Sequence, residues 1–174
     1  MGFGWTRTAS VMVVLSAQVL ILAACHAHMS GETFRTLETG AFSGTGQREC
    51  QCEVLRDHIG FEEFYRELHR NRLPAPQVPE VDFHRDVILF FSLGTCPTGG
   101  YFVDVDKVIG KDGQLEVRLE ITEPARDSIR ALVVTKPFVM ISVEKDSGIQ
   151  KVRFVDQGSK LLCERLVKGR TSNV

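Results

Sequence analysis

The sequence predicts a mainly β domain of α+β character: a single antiparallel β-sheet or sandwich with one packing helix. Three observations predict it. Leu115, Val117, Leu119 and Ile121 alternate with Glu116, Arg118 and Glu120, the pattern of a strand with one buried face. Residues 87–91 are continuously apolar, as in a strand buried on both faces. Phe61, Phe64, Tyr65 and Leu68 recur at i, i+3, i+4 and i+7, which makes the apolar face of a helix.

The N-terminus reads as an export signal. Arg7 is the one charged residue of the first 24, and residues 11–24 are almost purely apolar. A membrane-spanning helix takes about 20 apolar residues, so this shorter run fits the h-region of a signal peptide. Leu22-Ala23-Ala24-Cys25 resembles a lipobox: small residues fit the peptidase subsites, and the thiol of Cys25 receives the diacylglycerol. The expected mature chain starts at Cys25 and is held to a membrane by that lipid. His26, not Asp, follows the cysteine. By analogy with Gram-negative sorting this favours the outer membrane, on its periplasmic or surface face.

Domain boundaries follow from that reading: signal 1–24, tether 25–33, β-rich domain 34–167 and tail 168–174. The 150 residues from Cys25 onward suffice for one domain with a core. Without Arg7 the balance is 20 basic against 22 acidic residues. No basic patch invites nucleic acid, and no like-charge block marks a disordered tail.

Within the domain, residues 34–37 open a first strand, and Gly, Ser and Thr make residues 40–46 a loop. Residues 50–56 alternate as a strand. The helix is expected at 61–70, and Pro74, Pro76 and Pro79 prevent its continuation. After the apolar strand at 87–91, residues 94–100 read as a turn and 101–108 as the return strand. Asp112-Gly113 is a hairpin signal, and Pro124 ends the alternating strand that follows it. Residues 138–143 and 152–155 read as strands, and 161–167 is an apolar piece of open type.

Four cysteines remain beyond Cys25: Cys50, Cys52, Cys96 and Cys163. An even number in an exported chain suggests two disulfides. Cys50 and Cys52 share one face of a strand, too far apart to join each other easily. With two bridges, one of them meets Cys96 and the other Cys163, in either pairing. A metal site on Cys50, Cys52 and a histidine is the alternative, but one intervening residue is a poor zinc spacing. A redox pair is a further one.

No enzymatic constellation is visible. The sequence has no nucleophile elbow, no zinc-protease helix and no cofactor fingerprint. His58, His69 and His84 are scattered and read as surface or boundary histidines. Asp104 and Asp106 share a strand face and read as a solvated edge. The expectation is a protein that is not an enzyme and carries neither metal nor cofactor.

The distinctive local feature is Gly94-Thr95-Cys96-Pro97-Thr98-Gly99-Gly100-Tyr101. Pro97 fixes its own φ, and paired glycines permit positive φ. Such a loop serves equally as a rigid binding loop or as a plain turn. With the run 87–94, Val81-Asp82-Phe83, Pro124, Ala131-Leu132 and Pro137-Phe138-Val139, this stretch resembles the PrcB-type protease-complex lipoproteins. The resemblance extends over 34–154 and includes the helix upstream. It implies a non-catalytic accessory that binds or stabilises a secreted protease, with Pro97, Thr98, Gly99, Gly100 and Tyr101 as the contact. Cys96 is no part of that family's pattern. The same loop is also similar to the Asn-Pro-Thr-Thr-Gly-Tyr loop of chagasin-type cysteine-protease inhibitors, which implies a periplasmic inhibitor. That family's two other loops are missing here, and Trp5 is the only tryptophan. A structural envelope lipoprotein is the third reading.

Overall fold

The computed structural model describes residues 30–167 apart from 126, 128, 130, 146 and 147. Cys25, the signal, most of the tether and the tail lie outside the described residues. Nine strands and one helix follow in chain order: β1 Ser30–Glu32, β2 Phe34–Gly40, β3 Gln51–Leu55, α1 His58–Leu68, β4 Asp86–Ser92, β5 Phe102–Lys111, β6 Gln114–Thr122, β7 Phe138–Glu144, β8 Lys151–Val155 and β9 Leu161–Leu166. They form two sheets, β1-β5-β6-β8-β9 and β2-β7-β4-β3. The fold is therefore a mainly β sandwich with one packing helix.

The burial pattern of β4 explains the layers. Val87, Leu89 and Phe91 point between the sheets, where they meet Val105, Leu119 and Phe154. Ile88 and Phe90 point the other way and meet Phe61, Tyr65 and Leu68 of α1. A strand with a sheet on one side and a helix on the other has no solvent face, hence its unbroken apolar run. By contrast, β6 packs on one face alone. Its outward Glu116 and Arg118 join Arg153 and Glu164 in a surface ladder of ion pairs, with Glu116 and Arg118 3.1 Å apart.

Local signals placed most boundaries. Asp57 caps α1 by accepting the Gly60 N–H at 2.9 Å, so the helix begins at His58, three residues before its apolar stripe. The β5–β6 hairpin turns on Asp112 and Gly113, both at positive φ (49° and 74°), as a tight primed turn requires.

Three expectations about the strands need correction. The loop after β4 is no hairpin: β4 and β5 lie in different sheets, and the loop carries the chain from one to the other. The sandwich is not wholly antiparallel, because β6 and β8 pair in parallel. Strand β7 intervenes in the opposite sheet, so the chain re-enters beside β6 in the same direction. Residues 30–32, read as tether, form β1 and pair with residues 108–110 of β5. Asp104 and Asp106, by contrast, both lie exposed with Val105 buried between them, as read from the sequence, and the β5–β6 register shifts between Val105 and Lys107.

Among the described residues one disulfide forms rather than two. Cys52 in β3 is joined to Cys163 in β9, tying the outer strands of the two sheets together. Arg165 and Glu53 pair at 3.1 Å beside it. Cys50 and Cys96 are free thiols, the first exposed and the second buried. Cys50 precedes β3 and hydrogen-bonds the Leu162 carbonyl at 3.2 Å. Cys96 lies in the crossing loop, where its backbone pairs with Thr135.

Candidate functional site

The register of both sheets gathers the notable loops at one end of the sandwich. Gly40, Phe138, Ser92 and Gln51 are aligned across one sheet, and Phe102 and Thr122 across the other. The connections beyond them, 41–50, 93–101 and 123–137, therefore share that end, together with the C-terminal end of α1. The β5–β6 turn and the start of β1 occupy the opposite end, where Ser30 pairs with Gly110.

The crossing loop is fixed from two sides. Leu93 N–H donates to the Pro137 carbonyl at 3.0 Å, and Cys96 exchanges backbone bonds with Thr135 at 2.8 and 3.0 Å. Gly99 N–H reaches the Ala131 carbonyl at 3.0 Å, and the Thr135 hydroxyl donates to the Thr98 carbonyl at 3.0 Å. Across the loop, Thr95 N–H donates to the Arg48 carbonyl at 2.8 Å. Gly94 and Gly100 hold φ of 77° and 92°, conformations open to glycine at little cost. The loop is thus brought together as one rigid unit. Pro97 and Gly100 are exposed, and Thr98, Gly99 and Tyr101 are half-buried. Burial, and after it the charge of Glu123, raises the Cys96 thiol above its ordinary pKa, which keeps it protonated and unreactive.

Beside this loop lies a cluster that the sequence reading passed over. His69 was expected at the surface or its boundary, yet it is buried. Its Nε2 is 3.1 Å from Glu38 Oε2, the oxygen that also accepts the Tyr65 hydroxyl at 3.0 Å. Tyr65 and His69 rings stand 4.4 Å apart, and Arg72 approaches the other Glu38 oxygen at 3.7 Å. Helical spacing carried the signal: His69 follows Tyr65 by four residues and so continues the apolar face. Glu38 has no such local marker, since it comes from β2. Burial, then the Glu38 charge and hydrogen bond, push the Tyr65 phenol up to about 12.

The cluster borders a cavity of about 730 Å³ between the end of β2, the end of α1 and Lys136. Residues 41–44 form a wall pressed against the helix end. Gly44 N–H caps the Leu68 carbonyl at 2.7 Å, and a Cβ at Gly44 would stand 2.6 Å from the Glu67 and Leu68 carbonyl oxygens. The His69 imidazole is engaged with a carboxylate, and among the described residues no group of three His, Cys, Asp or Glu side chains is placed to hold a metal ion.

The segment building most of this end is 87–144, from β4 through β7. Residues 87–144 match the PrcB C-terminal family model. Over these residues the chain is similar to the PrcB C-terminal family, as the loop and its flanking strands led one to expect. The match covers β4 to β7, the crossing loop and residues 123–137, and leaves α1, β1 to β3, β8 and β9 outside. The chagasin-type likeness of the loop gains no support from the PrcB match. Neither a curated protein nor a solved structure matches the chain.

Proposed function

We propose that this protein is an exported lipoprotein, anchored through lipid on Cys25, that docks a secreted protease as a non-catalytic accessory. One observation carries the reading: the PrcB-matched segment builds the loop end of the sandwich, and that end displays apolar side chains. Phe102 is 61 % exposed and Leu132 94 %. Apolar side chains gathered at one end of a folded domain mark a surface for protein contact. The polarity of the fold sets the orientation that such an anchor would impose. Strand β1 begins at the opposite end, so a lipid five residues upstream points the loop end away from the membrane.

The experiment is co-purification. The full chain, tagged at its C-terminus in its own host, is cross-linked mildly and extracted with detergent. A secreted protease is expected with the wild type and is expected to be lost with Leu132→Asp. Cys25→Ser is expected to move the protein out of the membrane fraction. Recovery of cell-wall or outer-membrane components alone would overturn the docking reading.

A further inference from the structure

The loop end holds a cavity whose chemistry is more specific than an apolar patch. Phe42 and Val134 line it and remain 60 % and 58 % exposed. Around them stand three cations, Arg70, Arg72 and Lys136, against one carboxylate, Glu38. The whole chain, by contrast, has a formal net charge of −1. The cavity is therefore cationic on a neutral-to-acidic protein.

The cations are held in place by neighbours. Lys136 Nζ donates to the Thr45 carbonyl at 3.0 Å, an uncharged partner that leaves its positive charge uncompensated. Arg72 touches Glu38 at 3.7 Å, while Glu38 already accepts from Tyr65 and faces His69. Arg70 pairs with Glu67 at 2.8 Å on the exposed helix surface. Lys136 is thus the cation with charge to spare, and the Arg72 guanidinium, with one nitrogen near Glu38, keeps further N–H donors for a second acceptor. The wall at 41–44 closes one side, because Gly44 sits directly on the helix end.

We propose that this cavity binds the C-terminal end of a partner polypeptide. An apolar last side chain lies against Phe42 and Val134, and the terminal carboxylate lies between Lys136 and Arg72. The chain terminus is the occupant that fits both halves. It carries an apolar side chain and a carboxylate on one Cα, whereas an internal acidic residue carries no such pair. A walled cavity also suits a chain that ends there. Capture of a terminal carboxylate is an established way to recognise peptides, and 730 Å³ lies within the ordinary range for binding sites, about 300–1,000 Å³. The proposal deepens the docking reading, on which it rests for the nature of the partner.

The test uses the full chain in detergent and a fluorescein-labelled Gly-Ser-Ala-Leu-Phe peptide, as free acid and as amide. The acid is expected to bind, and the amide at least about tenfold more weakly, the usual loss for a charge-assisted bond. Arg72→Gln and Lys136→Gln are each expected to weaken the acid and leave the amide unchanged. Phe42→Ser is expected to weaken both. Equal affinity for acid and amide overturns the proposal, as does binding of decanoate without binding of the peptide, or no binding at all. Protease co-purification on the same variants separates the two readings. Protease recovered without peptide binding sinks the cavity proposal alone, and peptide binding without a protease sinks the docking reading alone.

Discussion

His69 and Glu38 meet at 3.1 Å although they are 31 positions apart, one at the end of α1 and the other in β2. The imidazole side chain is only 5 % exposed and the carboxylate 19 %. With Tyr65 donating to the same oxygen, the pair fixes the helix end against the outer strand of the four-stranded sheet. That contact sets one side of the cavity.

The Tyr65 phenol gives this cluster a pH signature. Its pKa is pushed from 10.0 to about 12 by burial, and after that by Glu38. The folded protein thus holds the proton more tightly than the unfolded chain does. Stability from this group is full below pH 10, and it is lost as pH rises through about 12. A Tyr101→Phe background leaves Tyr65 as the only tyrosine, so an ultraviolet phenolate titration reads it alone. Glu38→Gln is expected to lower the midpoint but not to the ordinary value, since burial remains. A wild-type midpoint at the ordinary value would contradict the buried cluster.

Glycines at the loop end separate into necessary and tolerant positions. Gly44→Ala puts a methyl group against two backbone oxygens and is expected to destabilise by about 1–3 kcal/mol. Gly46→Ala meets nothing within 4 Å, and denaturant unfolding should place it within about 0.5 kcal/mol of wild type. In the crossing loop, Gly100 has φ of 92° and lies 2.9 Å from the Pro124 side chain at its Cβ position. Its replacement by Ala is expected to cost on the order of 1–2 kcal/mol. Gly99 meets Ala131 at an ordinary 3.6 Å, so Gly99→Ala should fold normally.

The cysteines are distinguishable by alkylation and peptide mapping. Native protein is expected to react at Cys50, which is exposed, and to spare Cys96, which is buried and raised in pKa. Cys96 should react only after unfolding. Cys52 and Cys163 should react only after reduction. Replacing both by Ala is expected to cost about 2–5 kcal/mol, because their bridge closes a long loop of the unfolded chain. Early labelling of Cys96 would contradict its placement in the crossing loop.

Much of this fold was legible in the chain. Alternation from Leu115 to Ile121, the unbroken run around Phe90, the Asp112-Gly113 turn and the Phe61–Tyr65–Leu68 stripe each carry a local period or turn signal. Pairing across sheets was not legible. Nothing local says that β4 and β5 part company after Gly94, or that Cys52 rather than Cys50 meets Cys163. Those outcomes depend on which strands become outer neighbours. The crossing loop was recognisable by its glycines and proline, while its clamp by residues 131–137 was not. The cavity stayed hidden for the same reason: Glu38, His69 and Lys136 come from three separate elements, and only His69 carried a positional clue.

The loop end is expected to face a secreted protease in the native host. Site-specific photo-crosslinking in the native host tests it most directly, with the photoreactive residue at Leu132 or, as a control, at Leu166. Both are exposed, at 94 % and 71 %. Leu166 pairs with Lys151, which is aligned with Gln114 at the β5–β6 turn, the opposite end of the sandwich. The expected result is a protease adduct from position 132 and none from 166. An adduct from 166 alone, or from neither, would contradict the account.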